Sequence, residues 1–132
     1  ALSEAGRTVA LADERGELAA CRAGMPTLDV GERTDVMDMC PKRLAIAHMV
    51  RALKPDVVVT DEVGDREDAA AVLDARRCGT AVLASAHAAS VQEAARRPAL
   101  AEMLSMGAFD FVARIEGGRG RIASLEAWRG SA

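Results

Sequence analysis

Three consecutive valines, Val57-Val58-Val59, run into Thr60-Asp61-Glu62, and this stretch constrains the fold more than any other. A short β-branched apolar run bounded by turn residues is too brief for a helix and suits a strand buried on both faces. Pro55-Asp56 supplies the turn before it. Gly64 breaks the strand, Asp65 is a candidate N-cap, and an Ala-rich helical run follows to Arg77, with a stop near Gly79. A buried parallel strand that delivers adjacent acids to its carboxyl end and then turns into a helix places charge at a ligand crevice. This is the form of a Walker B segment, in which one acid orients Mg²⁺ through water and the next polarises a water for attack on a phosphate.

The rest of the chain supports that setting. At 132 residues it makes one domain with room for a real core, and it has only two Phe, one Trp and no Tyr. Its core must therefore be Ala, Val, Leu, Ile and Met, as in helices packed on a parallel sheet. Arg7 to Ala12 reads as a second buried strand, ending in Asp13-Glu14-Arg15, and Thr80 to Ala84 as a third, ending in Ser85-Ala86-His87. Parallel strands share direction, so Asp13-Glu14, Asp61-Glu62 and Ser85/His87 are expected on one edge of the sheet.

Between these strands, Glu17 to Ala23 reads as a short helix and Gly24 to Asp38 as a polar loop. The loop's acids, Asp29, Glu32, Asp35 and Asp38, lack calcium-loop spacing. Pro41 opens a helix through Lys54, with Leu44, Ala47 or His48, Arg51 and Ala52 at helical spacing. His48 reads as a helix-surface or packed residue and not as a ligand. Ala1 to Gly6 reads as the end of a helix, which implies a longer parent chain. Ser90 caps a helix to Arg97, Pro98 breaks it, and a second short helix ends at Gly107. Ala108 to Ile115 and Arg121 to Ala127 read as an antiparallel hairpin around Gly117-Gly118-Arg119-Gly120. These glycines precede a strand, so they serve a turn and not a phosphate.

Several function classes are disfavoured. The net charge of -3 and the scarcity of aromatics argue against a nucleic-acid motor. Three scattered cysteines, Cys21, Cys40 and Cys78, support neither a zinc site nor a disulfide framework. No apolar run reaches the length of a membrane span. The excess of Arg over Lys carries no functional reading.

The segment DERGELAACRAGMPTLDVGERTDVMDMCPKRLAIAHMVRALKPDVVVTDEVGDREDAAAVLDARRCGTAVLASAHA resembles the ATPase region of the stage III sporulation protein AA family. More distantly, RALKPDVVVTDEVGDREDAAAVLDARRCGTAVLASAHAAS resembles motor ATPases of type II and type IV secretion systems. The resemblance implies an α/β, RecA-like P-loop NTPase core that binds ATP and Mg²⁺ and works as a homo-oligomeric ring, usually a hexamer. It also implies a cytoplasmic enzyme in the mother cell, peripheral to the membrane and docked on membrane-embedded sporulation channel proteins, with no nucleic-acid partner.

Residue by residue, the resemblance makes Asp61 the Mg²⁺-orienting acid and Glu62 the water-positioning one. Glu14, with Asp13, matches the acidic box, and Glu14 can share the role of Glu62. Ser85 and His87 match the phosphate-sensing strand end. Arg33 and Arg66 are candidates to meet phosphates in cis or across a subunit boundary, although Asp65 stands where the family tends to place the basic residue nearest Arg66. One departure is decisive. A P-loop needs Gly-x-x-x-x-Gly-Lys-Ser/Thr, and Lys42 and Lys54, the only lysines, follow Pro41 and Leu53. The chain therefore reads as the carboxyl-terminal part of one RecA-like domain without its P-loop strand and helix, unable to turn over ATP alone. That lack leaves a vacant slot beside Val82, from which self-association or inward movement of the hairpin is expected. A RecA-like scaffold without catalysis is the alternative reading.

Overall fold

The computed structural model describes residues 1–118 and 120–128. Arg119, in the expected hairpin turn, lies outside the described residues. In chain order the elements are β1 (Val9–Asp13), β2 (Thr34–Asp38), α1 (Lys42–Leu53), β3 (Val57–Thr60), α2 (Arg66–Arg77), β4 (Ala81–Ala84), α3 (Val91–Ala94), α4 (Pro98–Ser105), β5 (Phe111–Glu116) and β6 (Arg121–Ala127). The first four strands make one parallel sheet in the order β2-β1-β3-β4, and β5 and β6 make a separate antiparallel hairpin.

The valine run is β3, in the sheet interior, with Val58 fully buried. Val57 pairs with Val9 on one side and Ala81 on the other, so the three expected strands are contiguous. Small residues on β1, Ala10 and Ala12, let α1 approach closely. Ile46, Met49 and Val50 of α1 and Ala71 and Ala75 of α2 fill the space above them and Val58. A second cluster joins Val72 and Leu73 of α2 to Leu100 and Met103 of α4.

Helix ends follow their local chemistry. Asp65 accepts the Asp68 amide at 2.8 Å while the Asp68 carboxylate reaches back, a reciprocal capping box that starts α2. Lys54 closes α1 in the left-handed conformation, and Gly79, at φ 83°, ends the turn after α2. Ser90 caps α3 and Pro98 opens α4.

Four expectations are corrected. The segment Glu17 to Ala23 is not helical, because the Asp13 carboxylate takes the amides of Glu17, Leu18 and Ala19 and bends the chain into a loop. The expected loop from Gly24 to Asp38 ends in a strand, β2, which pairs with β1 from Val9–Thr34 to Asp13–Asp38 and makes the sheet four-stranded. The buried stripe of α1 is Lys42, Ala45, Ile46, Met49 and Val50, and Leu44 is exposed together with His48, Arg51 and Ala52. The hairpin has not moved inward; it stands apart from β4 and is tied to α2 and α4 instead. Its ties are the Arg76–Asp110 ion pair at 3.3 Å and the Trp128 indole N–H to the Leu104 carbonyl at 3.1 Å.

The amino terminus makes one helical turn closed by Gly6 at φ 82°. It rests on Gly31, where a Cβ would come within 2.5 Å of the Ser3 side chain.

Candidate functional site at the carboxyl edge of the sheet

β1, β2 and β3 run in parallel, so Asp13, Asp38 and the residues after Thr60 emerge together at one edge. There an open cleft of about 570 Å³ is lined by Glu14, Lys42, Asp61, Glu62 and Asp68 among others. A larger cleft, about 920 Å³, opens at the opposite edge between Arg51, Lys54 and Arg76. Ligands of parallel sheets bind outside the carboxyl ends of the strands. The smaller cleft also holds the acids, so it is the candidate site.

Asp61 is 7% exposed, and its Oδ2 is buried without a hydrogen-bond partner. The nearest cation, Nη2 of Arg15, stands 3.5 Å away, outside good hydrogen-bond range. That oxygen therefore has an ion-pair neighbour in Arg15 but no hydrogen bond, an incomplete satisfaction for a buried carboxylate. Glu62 adopts φ 39°, a left-handed conformation that costs a residue with a Cβ about 1 kcal/mol. The turn aims its carboxylate across the edge, where Oε1 lies 2.9 Å from Nε2 of His87 and Oε2 pairs with Arg15. Ser85 supports the same turn: its hydroxyl accepts the Glu62 amide at 3.0 Å and its carbonyl the Val63 amide at 2.9 Å.

Of the residues singled out from sequence, Glu14, Asp61, Glu62, Ser85 and His87 meet at this edge. Asp13 is fully buried beneath it with both oxygens committed to loop amides, so it shapes the loop that carries Glu14 and Arg15. Arg66 is exposed on the first turn of α2, beside the cleft. Arg33 precedes β2 and lies at the opposite edge, roughly 17 Å away along a five-residue strand, so it does not reach this site within one chain.

Three cations were missed. Arg15 bridges Glu17, Asp61 and Glu62. Desolvation works against its charge, but Glu17, Glu62 and Asp61 outweigh this and leave its pKa raised. Lys42, only 5% exposed, donates to the Glu62 carbonyl at 2.9 Å and stands 3.7 Å from Glu14 and 3.8 Å from Asp68. Arg97 holds the His87 carbonyl and approaches Gly64, where a Cβ would lie 3.3 Å from its guanidinium. An Arg directly after an acid pair and a rare Lys on the first turn of a helix were the available signals. Cys21 lies near the acids, but burial and the Asp38 and Asp13 charges push its thiol pKa up, which disfavours a thiolate.

Among the described residues no three His, Cys, Asp or Glu groups stand close enough to hold a metal by themselves. A lone carboxylate such as Asp61 could serve Mg²⁺ only with waters and phosphate oxygens completing the shell. The donor set does not fit a zinc or calcium cage.

The fold and site define an α/β protein with an acidic crevice at the carboxyl edge of a parallel sheet. Residues 3–132 match the family model described as sporulation stage III, protein AA. The chain belongs to that family. Over 100 residues it is 40% identical to a stage III sporulation protein AA of Bacillus subtilis (strain 168), a match covering 76% of this chain and 33% of that protein. The chain thus spans about a third of the length of that curated relative. No solved structure matches it significantly. Among the described residues, no helix is long and apolar enough to cross a membrane.

Proposed function

We propose that this chain carries the Mg²⁺-orienting and water-positioning half of an ATP-hydrolysing motor site with a RecA-like core. The observation that supports the reading is the buried Oδ2 of Asp61, which has no hydrogen bond and only Arg15 at 3.5 Å, in the cleft it shares with Glu62 and Glu14 at the carboxyl edge of a parallel sheet. Asp61 would hold the Mg²⁺–phosphate group in place, which supplies charge neutralisation at the transferred phosphoryl. Glu62 or Glu14 would orient the attacking water, each within the same cleft. His87, 2.9 Å from Glu62, would report the phosphate to that carboxylate, and Ser85 would hold the turn in register.

No Gly-Lys pair occurs in the chain, so phosphate cradling has to come from elsewhere. We place turnover in a protein of the relative's full length carrying this sequence, and none in the chain alone. The wider assembly follows the family resemblance: a homo-oligomeric ring, usually hexameric, on the cytoplasmic mother-cell side of the membrane, supporting membrane-embedded sporulation channel proteins. Arg66, exposed on the first turn of α2 beside the cleft, is the candidate to meet phosphate in cis, while Arg33, on the far edge, could do so only across a subunit boundary.

The test is Mg²⁺-dependent ATP hydrolysis by the full-length protein beside Glu62→Gln. Loss of a positioned acid or base is expected to cost about 10²–10⁴-fold in turnover. Undiminished turnover in that variant removes Glu62 from the mechanism. Absence of turnover in the intact protein, with normal folding, would favour the scaffold reading, for which the pairing of both Glu62 oxygens with Arg15 and His87 is the structural argument.

A further inference from the structure

Lys42 stands where an ammonium is least expected. It is nearly buried, and it occupies the first turn of α1, where the helix dipole disfavours a cation. Burying a charge is costly unless it is paired and hydrogen-bonded. Its compensation comes from three separate segments: the Glu62 carbonyl after β3 at 2.9 Å, Glu14 after β1 at 3.7 Å and Asp68 in the first turn of α2 at 3.8 Å.

The shortest of these contacts goes to the backbone and not to a carboxylate. Glu62 is the one residue of the site held at positive φ, and its carbonyl is turned toward α1. Ser85 holds the amide side of this left-handed turn, taking the Glu62 and Val63 amides, and Lys42 holds its carbonyl side; neither glycine nor asparagine occupies the position, so these contacts have to offset the strain.

We propose that Lys42 is the positioning residue of this site: it locks the Glu62 turn through the carbonyl and thereby aims the Glu62 carboxylate at His87 and the cleft. Its shortest contact is to the Glu62 carbonyl, so its effect on the reaction is taken to pass through Glu62. Its two ion-pair contacts hold Glu14 and Asp68 around the same point, so the spacing of the acids from β1, β3 and α2 is set by one ammonium. The inference rests on the motor-site reading for its catalytic meaning, but the locking of Glu62 can be observed without nucleotide or metal.

The decisive experiment is NMR on the 132-residue chain. In Lys42→Met, judged folded by unchanged amide resonances of β1 and β3, the backbone shifts of Glu62 should leave left-handed values and the His87 ring resonances should move. Unchanged Glu62 and His87 signals would overturn the proposal. Should Lys42→Met fail to fold, the wild type still decides. Lys42 and Lys54 are the only lysines, so their ammonium resonances are readily told apart. A Lys42 ammonium with slow proton exchange and a contact to the Glu62–Val63 peptide supports the lock, and one that exchanges like exposed Lys54 overturns it.

Turnover then tests the consequence in the full-length protein. Lys42→Met should lower kcat at least about tenfold, leave the nucleotide KM within about threefold, and be no slower in combination with Glu62→Gln than Glu62→Gln alone. Lys42→Arg, which keeps charge and donors, should recover part of the loss. A double variant in which the two losses multiply would show that Lys42 acts independently of Glu62 and contradict the positioning role. An inactive wild type with a locked Glu62 would instead sink the motor reading alone.

Discussion

Glu62 carries both a functional group and a strained backbone, and these two properties can be separated. Replacement by glycine removes the Cβ that disfavours φ 39° while keeping the carbonyl for Lys42. Its ion pairs are partly solvated and contribute little. Glu62→Gly should therefore stabilise the chain by about 1 kcal/mol in urea unfolding while removing the carboxylate from the cleft. A destabilised variant would mean that the Arg15 and His87 contacts outweigh the strain.

Asp56 is a second residue-scale case. The Thr8 amide at 2.8 Å, then the Thr8 hydroxyl at 3.1 Å, hold its carboxyl below the usual carboxylate range. A depressed folded-state pKa contributes stability that is complete above the unfolded value, about 3.9, and is lost as pH falls through the folded value. Thr8→Val removes the hydroxyl contribution, so acid unfolding followed by circular dichroism should begin at a higher pH than in the wild type. An unchanged acid limb would show that the amide alone sets Asp56.

At the scale of elements, α2 is the piece that couples folding to the site. Asp65 caps it, and Asp68 completes the box while facing Lys42. Asp65→Ala should cost about 1 kcal/mol by denaturant unfolding. Ile46→Ala, at 1% exposure in the centre of α1, should cost about 2–5 kcal/mol. A smaller loss at Ile46 than at Asp65 would contradict the assignment of the α1 core face.

That face is where sequence reading failed most instructively. Val57 to Glu62, the α2 cap and the hairpin were legible because β-branched runs, Asp and Pro, and glycines have local meanings. The face of α1 was not. With Ala at positions 45, 47 and 52 its pattern is nearly symmetric, and only tertiary contact with Ala10, Ala12 and Val58 chooses Ile46 over Leu44. β2 was hidden for a similar reason. Thr34–Asp38 is an edge strand whose pairing to β1, and not its own propensity, makes it a strand. Asp13 looked like a site acid in sequence because nothing in the Asp-Glu pair itself marks that the amides of Glu17 to Ala19, four to six residues on, occupy its oxygens. Lys42 was passed over because chain-wide Arg preference concealed what one buried lysine means.

For the molecule as a whole, the sheet is covered on the face of Ala10 and Val58 by α1 and α2. On the other face Val57 and Val59 are half-buried and Leu83 is 55% exposed. β4 is also an edge strand, with the hairpin standing apart from it. Unpaired edges and exposed apolar rows are templates for association. The 132-residue chain should therefore show concentration-dependent self-association in sedimentation, with slowed Val82 amide exchange at high concentration. A monomer at all concentrations whose Val82 amide exchanges like a free one would contradict this.

The account depends most on the carboxyl edge of the sheet being a divalent-cation site centred on Asp61. Titration of the chain with Mn²⁺, followed by paramagnetic broadening of amide resonances, tests that directly. The expected result is broadening centred on Asp61 and Glu62, extending to Glu14 and His87, and abolished by Asp61→Asn. Broadening that is scattered over other surface acids, or that survives Asp61→Asn unchanged, would contradict it.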